Sequence, residues 1–117
     1  MTRPWDQIRA HYRSLVKAGS SLRAMHELVR SIESSRYRDG IFAWTSMYDL
    51  CIVQTPVNYP YDGPYLRVSP LHDGQLEFRY VDTAIEDKQW SRVVDGPGSF
   101  ARLERFFEEL HWFNDHA

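Results

Sequence analysis

Apolar positions near the N-terminus recur with the period of an amphipathic helix. They do so over residues 4–18 and again over about 21–34, returning every three or four positions. At about 100° per residue the two apolar stripes are offset by more than a quarter turn, so one straight helix cannot bury both. Gly19 can end the first helix, and Ser20 or Ser21 can cap the second. The sequence therefore predicts two helices or one sharply kinked helix.

The pattern changes to that of β-strands at Ile41. The stretch IFAWTSMYDLCIVQT is rich in aromatic and β-branched residues and contains no glycine or proline. In a single strand its even-numbered apolar positions, from Phe42 and Trp44 to Leu50 and Ile52, would all point to one face. The stretch predicts either one long bent strand or two short strands, and the pattern does not decide between them.

The segment YLRVSPLHDGQLEFRYVD predicts a β-hairpin that turns at Asp73-Gly74. A two-residue turn would mix apolar and polar side chains on both faces of the hairpin. A three-residue loop that starts at His72, with Gly74 in a left-handed conformation, instead gathers the apolar side chains on one face. We therefore expect this second register, which places Arg67 directly opposite Arg79 on the other face.

The remaining pattern completes an α+β fold. A further strand is expected over 89–95, and a dense stripe of aromatic and leucine residues predicts a C-terminal helix over 99–113. The expected order is two N-terminal helices (or one kinked helix), a four- to five-stranded antiparallel meander, and a C-terminal amphipathic helix packed on the sheet. With 117 residues, 43% of them hydrophobic, the chain is expected to form a single globular domain over residues 1–117.

Charge and composition bear on the partners of the chain and on its cellular compartment. Residues 1–40 hold eight Lys/Arg and four Asp/Glu, whereas residues 41–117 hold six and twelve. These opposite charges either neutralise each other within the fold or hold a partner or a second copy. The sequence has no apolar run long enough to span a membrane and no secretory signal pattern, and its one cysteine, Cys51, cannot form a disulfide within the chain. These features predict a soluble cytoplasmic protein.

The facing arginines are the strongest functional lead in the sequence. Like charges directly opposite each other destabilise a pair of strands, so something should offset Arg67 and Arg79. Either Glu77, diagonal to Arg67, neutralises them in an internal salt-bridge ladder, or an external acid lies on this face. The external acid would be an anion, an acidic partner or a second subunit. Arg92 would join the row if the following strand pairs in a suitable register.

The loop NYPYDGPY, residues 58–65, leads into the strand that carries Arg67. Its prolines limit its freedom, and tyrosines make large, stiff contacts that suit a recognition surface. Either the loop tyrosines fold back to cap the sheet, or they form the rim of a binding site. Our leading hypothesis is a non-enzymatic binding module that recognises a protein partner or itself through Tyr59, Tyr61, Tyr65, Arg67 and Arg79.

Two other hypotheses belong to different functional classes. The first is a small anionic-ligand-binding protein or modest enzyme with a pocket between sheet and helices, where arginines hold the ligand and Asp82 or His72 acts as a base. The second is a homodimer formed through the C-terminal helix, with Trp112 as an exposed anchor.

Several common chemistries are not expected. In the segment HELVR, Arg30 stands where a zincin helix would place its second histidine ligand, and we predict no metal and no cofactor. Cys51 lies in an apolar strand, which favours a buried thiol over a nucleophile. The row Arg9, Arg13 and Lys17 carries too little positive charge, in a chain of net charge −2, for a nucleic-acid partner to be expected.

Overall fold

A computed structural model describes residues 1–17, 22–82 and 85–113. It confirms the predicted α+β fold, with two N-terminal helices, a five-stranded antiparallel sheet and a C-terminal helix. The helices are α1 Trp5–Lys17, α2 Arg23–Glu33 and α3 Ser99–Leu110. The strands are β1 Phe42–Ser46, β2 Asp49–Val53, β3 Tyr65–Pro70, β4 Gln75–Val81 and β5 Trp90–Asp95. Single turns of 3₁₀ helix occur at Arg36–Asp39, Glu86–Lys88 and Gly96–Gly98.

The two N-terminal helices are separate elements, each with its own buried stripe. Helix α1 follows Pro4 and carries Asp6 in its first turn, where the helix dipole favours a carboxylate. The buried side chains of the two helices are Trp5, Ile8 and Tyr12 of α1, and Met25, Leu28, Val29 and Ile32 of α2. The capping roles predicted for Gly19, Ser20 and Ser21 fall outside the described residues.

The stretch after Ile41 forms two short strands rather than one bent strand. Ser46 pairs with Asp49, so Met47 and Tyr48 make a two-residue turn, and Met47 has a φ of 56°. The turn reverses the chain and changes which positions share a face. Trp44 pairs with Cys51 rather than lying on the side of Leu50, and the expectation that all even-numbered positions point one way is wrong.

All five strands pair antiparallel in sequence order, from β1 at one edge to β5 at the other. The predicted hairpin register is confirmed, because Arg67 pairs with Arg79 while Val68 pairs with Phe78 on the opposite face. The loop closes with a hydrogen bond from the Leu71 N–H to the carbonyl of Gln75, 2.8 Å apart, and Gly74 has a φ of 84°. Glycine adopts that left-handed conformation without the penalty that a Cβ would bring.

The three helices cover one face of the sheet, and the buried side chains between them form a single core. Helix α1 contacts β1, α2 contacts β4, and α3 contacts β5. Hydrogen bonds fix α1 on the sheet: the Trp5 indole donates to the Ile41 carbonyl at 3.3 Å, and the Tyr12 hydroxyl donates to the Tyr48 carbonyl at 2.9 Å. Helix α1 is thereby linked directly to the β1–β2 turn.

The two edges of the sheet differ. At the β1 edge, the Arg3 N–H donates to the Ala43 carbonyl at 2.8 Å, and Arg3 thus forms an isolated β-bridge with the free edge of this strand. At the other edge, β5 pairs with β4 and with no further strand in the described part of the chain.

The C-terminal helix ends three residues earlier than the sequence predicts. His111 has a φ of 58°, and the Trp112 N–H then bonds back to the Phe107 carbonyl at 3.0 Å. This reversal turns the Trp112 indole onto the Phe107 ring, with ring centres 5.8 Å apart. Trp112 therefore packs on the core and is not the exposed anchor that the sequence predicts.

None of the helices within residues 1–17, 22–82 and 85–113 combines the length and the apolar character that crossing a membrane requires.

Replacement of Tyr12 by phenylalanine should lower the free energy of unfolding by about 1 kcal/mol, because the Tyr48 carbonyl loses a buried donor. Urea unfolding measures this loss. The matched control is Tyr48→Phe, which removes the same hydroxyl group from a side chain that is 53% exposed and should leave stability nearly unchanged. Equal unfolding midpoints for the two variants would contradict the proposed role of the hydrogen bond.

Candidate binding face of the sheet

The sheet face opposite the helices, here called the outer face, is set by strand alternation. Neighbouring side chains of a strand point to opposite faces. Residues that point into the core, and the residues paired with them on the next strand, therefore do not lie on the outer face. The outer-face residues that bear on the site are Trp44, Asp49, Cys51, Tyr65, Arg67, Ser69, Glu77, Arg79, Ser91 and Val93.

Arg67 and Arg79 are neutralised from within the sheet. The Arg67 Nε donates to Asp49 Oδ2 at 2.6 Å, and Arg79 Nη2 lies 3.9 Å from the same oxygen. Arg79 Nε lies 3.6 Å from Glu77 Oε1. Burial lowers the pKa of Arg67, but its hydrogen bond to Asp49 raises the pKa, which ends above its ordinary value. Two carboxylates thus offset the two facing guanidinium groups.

Asp49 is the member of this group that sequence reasoning missed. Glu77 contacts Arg79, but Asp49 makes the shorter bond and reaches both arginines. Asp49 lies diagonal to Arg67 only because the chain turns at 47–48 and Cys51 then pairs with Arg67. The one available signal was an acidic residue at a possible turn inside an apolar stretch.

Arg92 does not join the arginine row. It pairs with Phe78 and therefore lies on the helix-side face, where its guanidinium is 5.6 Å from the centre of the Trp90 ring. Ser91 and Val93 occupy the outer-face positions of β5 instead.

Cys51 lies beneath this charged row and is fully buried. Burial raises the pKa of its thiol to about 11, although the nearby Arg67 guanidinium acts in the opposite direction. The thiol is therefore protonated near neutral pH, which is the reverse of what a nucleophilic cysteine needs. The expectation of a buried, unreactive thiol agrees with this position.

The loop tyrosines divide between the two predicted roles. The Tyr61 hydroxyl donates to the Pro64 carbonyl at 2.8 Å, and its ring lies edge-on to Trp44 with centres 6.1 Å apart. A Cβ at Gly63 would be 2.5 Å from the Tyr61 oxygen, so glycine allows this fold-back. Tyr59, by contrast, is 86% exposed. Tyr61 caps the end of the sheet, and Tyr59 projects from it.

Tyr65 connects the loop to the arginine row. Its ring centre lies 5.5 Å from that of Trp44, and its side chain is among the groups that raise the pKa of Arg67. Four of the five residues proposed from sequence as a binding set are thus brought together, because Tyr61 and Tyr65 both contact Trp44, and Tyr65 shares a face of β3 with Arg67, which pairs with Arg79.

Asp82 and His72, suggested as alternative bases for a catalytic site, lie at opposite ends of β4. Asp82 follows the end of β4, whereas His72 lies in the loop before its start. Seven strand residues at about 3.3 Å each separate the two ends by about 23 Å. Asp82 is also committed locally, since its Oδ1 accepts from the Ile85 N–H at 3.1 Å.

A cavity of about 410 Å³ lies beside Arg79, where β4 meets β5. Its lining residues are Arg79, Tyr80, Val81, Gln89, Trp90 and Ser91. These described residues supply a guanidinium, hydroxyl groups and an amide but no general base. Among residues 1–17, 22–82 and 85–113, no three His, Cys, Asp or Glu side chains are placed to hold a metal ion.

Comparisons of this chain with protein-family profiles, with characterised proteins and with solved structures found no match.

Replacement of Asp49 by asparagine should lower the free energy of unfolding by about 2 kcal/mol, because Arg67 then faces Arg79 with only Glu77 nearby. Chemical denaturation of this variant beside Glu77→Gln measures the difference. The Glu77 change removes the same charge from the longer contact and should cost less than half as much. A larger loss for Glu77→Gln would assign the neutralising role to Glu77 instead.

Stability should fall at alkaline pH partly through Cys51. In the unfolded chain the thiol ionises near its ordinary pKa of 9.0, but in the fold it keeps its proton until about 11. Its contribution is therefore complete below pH 9 and is lost as pH rises toward 11, with a slope of up to about 1.4 kcal/mol per pH unit. Unfolding curves from pH 8 to 10.5 should show a shallower decline for Cys51→Ala. Parallel curves would refute the contribution.

Proposed function

We propose that this protein is a non-enzymatic binding module that recognises a protein partner, or a second copy of itself, through the outer face. The contact set is Tyr59, Tyr61, Tyr65, Arg67 and Arg79. One observation carries the proposal: in the described part of the chain the helices cover only the other face of the sheet, and the most exposed large hydrophobic side chains lie on the outer face or in the connections at its two ends.

These exposed side chains follow the strands and their connections. Among the described residues the large hydrophobic side chains most open to solvent are Met47 at 87%, Tyr59 at 86%, Val93 at 57%, Tyr48 at 53% and Ile85 at 44%. None of them belongs to a helix. Met47 and Tyr48 lie at one end of the sheet, Tyr59 and Ile85 lie at the other, and Val93 lies on the outer face itself. Apolar side chains are thus available to a partner on the outer face and at both of its ends.

The charges on the outer face favour a partner that is not strongly acidic. Asp49 and Glu77 already offset the two arginines, so an acidic partner would displace contacts that exist. Arg67 and Arg79 retain 23% and 41% of their side-chain exposure, enough to donate hydrogen bonds at an interface. Recognition would then rest on aromatic and apolar contact, with the arginines fixing orientation.

The loop prepares this surface in advance. Tyr61 is held by Pro64 and by the Trp44 ring, so binding would immobilise little that is free beforehand. We propose a cytoplasmic setting for this activity, and the free, buried thiol of Cys51 suits a reducing compartment.

The double variant Tyr59→Ala, Val93→Thr tests the proposal, because both side chains are largely exposed and neither is part of the core. The tagged wild type, this variant and the control Glu108→Ala, on the exposed side of α3, would each be used to capture partners from the source cells. Quantitative mass spectrometry should show a polypeptide retained by wild type and control and reduced about tenfold or more by the double variant.

Hydrogen exchange on the purified complex then locates the contact. Protection should appear in β3, β4 and the loop before β3. If self-association is the function, sedimentation should instead show a dimer that the double variant dissociates. Equal capture by all three proteins with no self-association, or protection confined to the helices, would contradict the proposal.

A small anionic ligand beside Arg79 is a second candidate, supported by the cavity of about 410 Å³ there. Titration of the ¹⁵N-labelled protein with acetate and citrate should then shift the amide signals of Arg79, Gln89 and Ser91 first. An unchanged spectrum at millimolar ligand would remove this candidate.

A further inference from the structure

A basic groove lies between α1 and α2, away from the outer face. It has a volume of about 450 Å³ and is lined by Arg9 and Arg13 of α1 and by His26 and Arg30 of α2. The four side chains are brought together because residues spaced by four lie on the same side of a helix, and the two helices pack side by side.

The groove carries more positive charge than its neighbours neutralise. Arg9 Nη1 is bound to Glu33 Oε1 at 2.8 Å. Arg13 and Arg30 form no ion pair with any residue in the described ranges, and both are exposed. Like charges held close together without a counter-charge are unfavourable, and an anion in the groove would relieve that repulsion.

His26 supplies a second and independent observation. Its Nε2 atom is shielded from solvent and has no hydrogen-bond partner among the described residues. A shielded polar atom without a partner is costly, and such atoms in native proteins usually face a group that completes them. The side chain that carries this nitrogen lines the groove. Because Nε2 itself is shielded, a rotation of the imidazole would have to accompany its contact with a bound ligand.

The electrostatic surroundings of His26 agree with this picture. Burial lowers the pKa of the imidazole, and Arg30, Arg13 and Arg9 lower the pKa further, while Glu27 acts in the opposite direction. The groove thus disfavours a further positive charge on His26. A bound anion would reverse that preference and let His26 accept a proton.

We propose that the groove between α1 and α2 binds a small molecule through a phosphate group. Arginine guanidinium groups match phosphate oxygens with paired donors, and the imidazole adds a further donor when it is protonated. The volume is within the range of small-molecule sites and exceeds what a single inorganic ion would fill. This site is separate from the outer face, so it goes beyond the proposed function and does not rest on it.

Isothermal titration calorimetry with inorganic phosphate and with pyrophosphate, at ionic strength held constant with sodium chloride, tests the site. Wild type should bind pyrophosphate more tightly than phosphate. Arg13→Gln and Arg30→Gln should each weaken pyrophosphate binding about tenfold or more, since each removes a charged donor. The matched control Arg105→Gln removes the same charge from the exposed side of α3 and should bind like wild type.

The pKa of His26 provides a second measurement, which depends on ligand bound in the groove and not on the net charge of the protein. The C–H signals of His26 in an NMR titration should show its pKa rising when pyrophosphate saturates the groove, against the background of Arg9, Arg13, Arg30, Glu27 and Glu33. Absence of binding at millimolar pyrophosphate, equal weakening by Arg105→Gln, or an unchanged His26 pKa would each overturn the proposal. The Tyr59→Ala, Val93→Thr variant should bind pyrophosphate like wild type. Loss of partner binding through the outer face can therefore be distinguished from loss of anion binding in the groove.

Discussion

The register of the β3–β4 hairpin is the constraint on which the rest of the sheet depends. Burial of Leu66, Val68 and Phe78 against the helices leaves one favourable pairing of these strands, because a slip by one residue would turn every apolar side chain to solvent. That pairing sets Arg67 against Arg79 as a by-product. Asp49 can offset these two positive charges only if β2 starts at Asp49 and pairs Cys51 with Arg67. The apolar face thus determines the charges required on the opposite face.

The fold could be predicted from sequence wherever a single periodicity or a turn signal was strong. Helical spacing identified α1, α2 and α3, and Gly74 with one-sided apolar pairing identified the hairpin register. The turn at Met47 was not predictable in this way, since methionine rarely adopts a positive φ and neither neighbour is glycine or proline. Asp49 was missed for the same reason, because its position beside Arg67 exists only once that turn is known. Trp112 was misplaced because its direction depends on the left-handed His111, not on helical spacing.

The charge asymmetry of the sequence has a spatial counterpart. Part of the N-terminal excess of positive charge is concentrated between α1 and α2, where Arg9, Arg13 and Arg30 meet. The outer face, in contrast, is nearly balanced, with each arginine close to a carboxylate and with apolar side chains at its ends. The molecule therefore presents two surfaces of different chemical character on opposite sides of one core, and they can be altered independently.

The difference between the two edges of the sheet limits how copies of this chain could assemble by strand pairing. The Arg3 N–H is already hydrogen-bonded to the Ala43 carbonyl at the free edge of β1. A continuous strand therefore cannot pair along that edge. Within the described residues, β5 is left as the edge open to such pairing. Growth at two edges gives filaments, whereas a molecule with one usable edge joins a second copy about a twofold axis and stops. The bridge between Arg3 and Ala43 thus limits any assembly formed by strand pairing to a dimer.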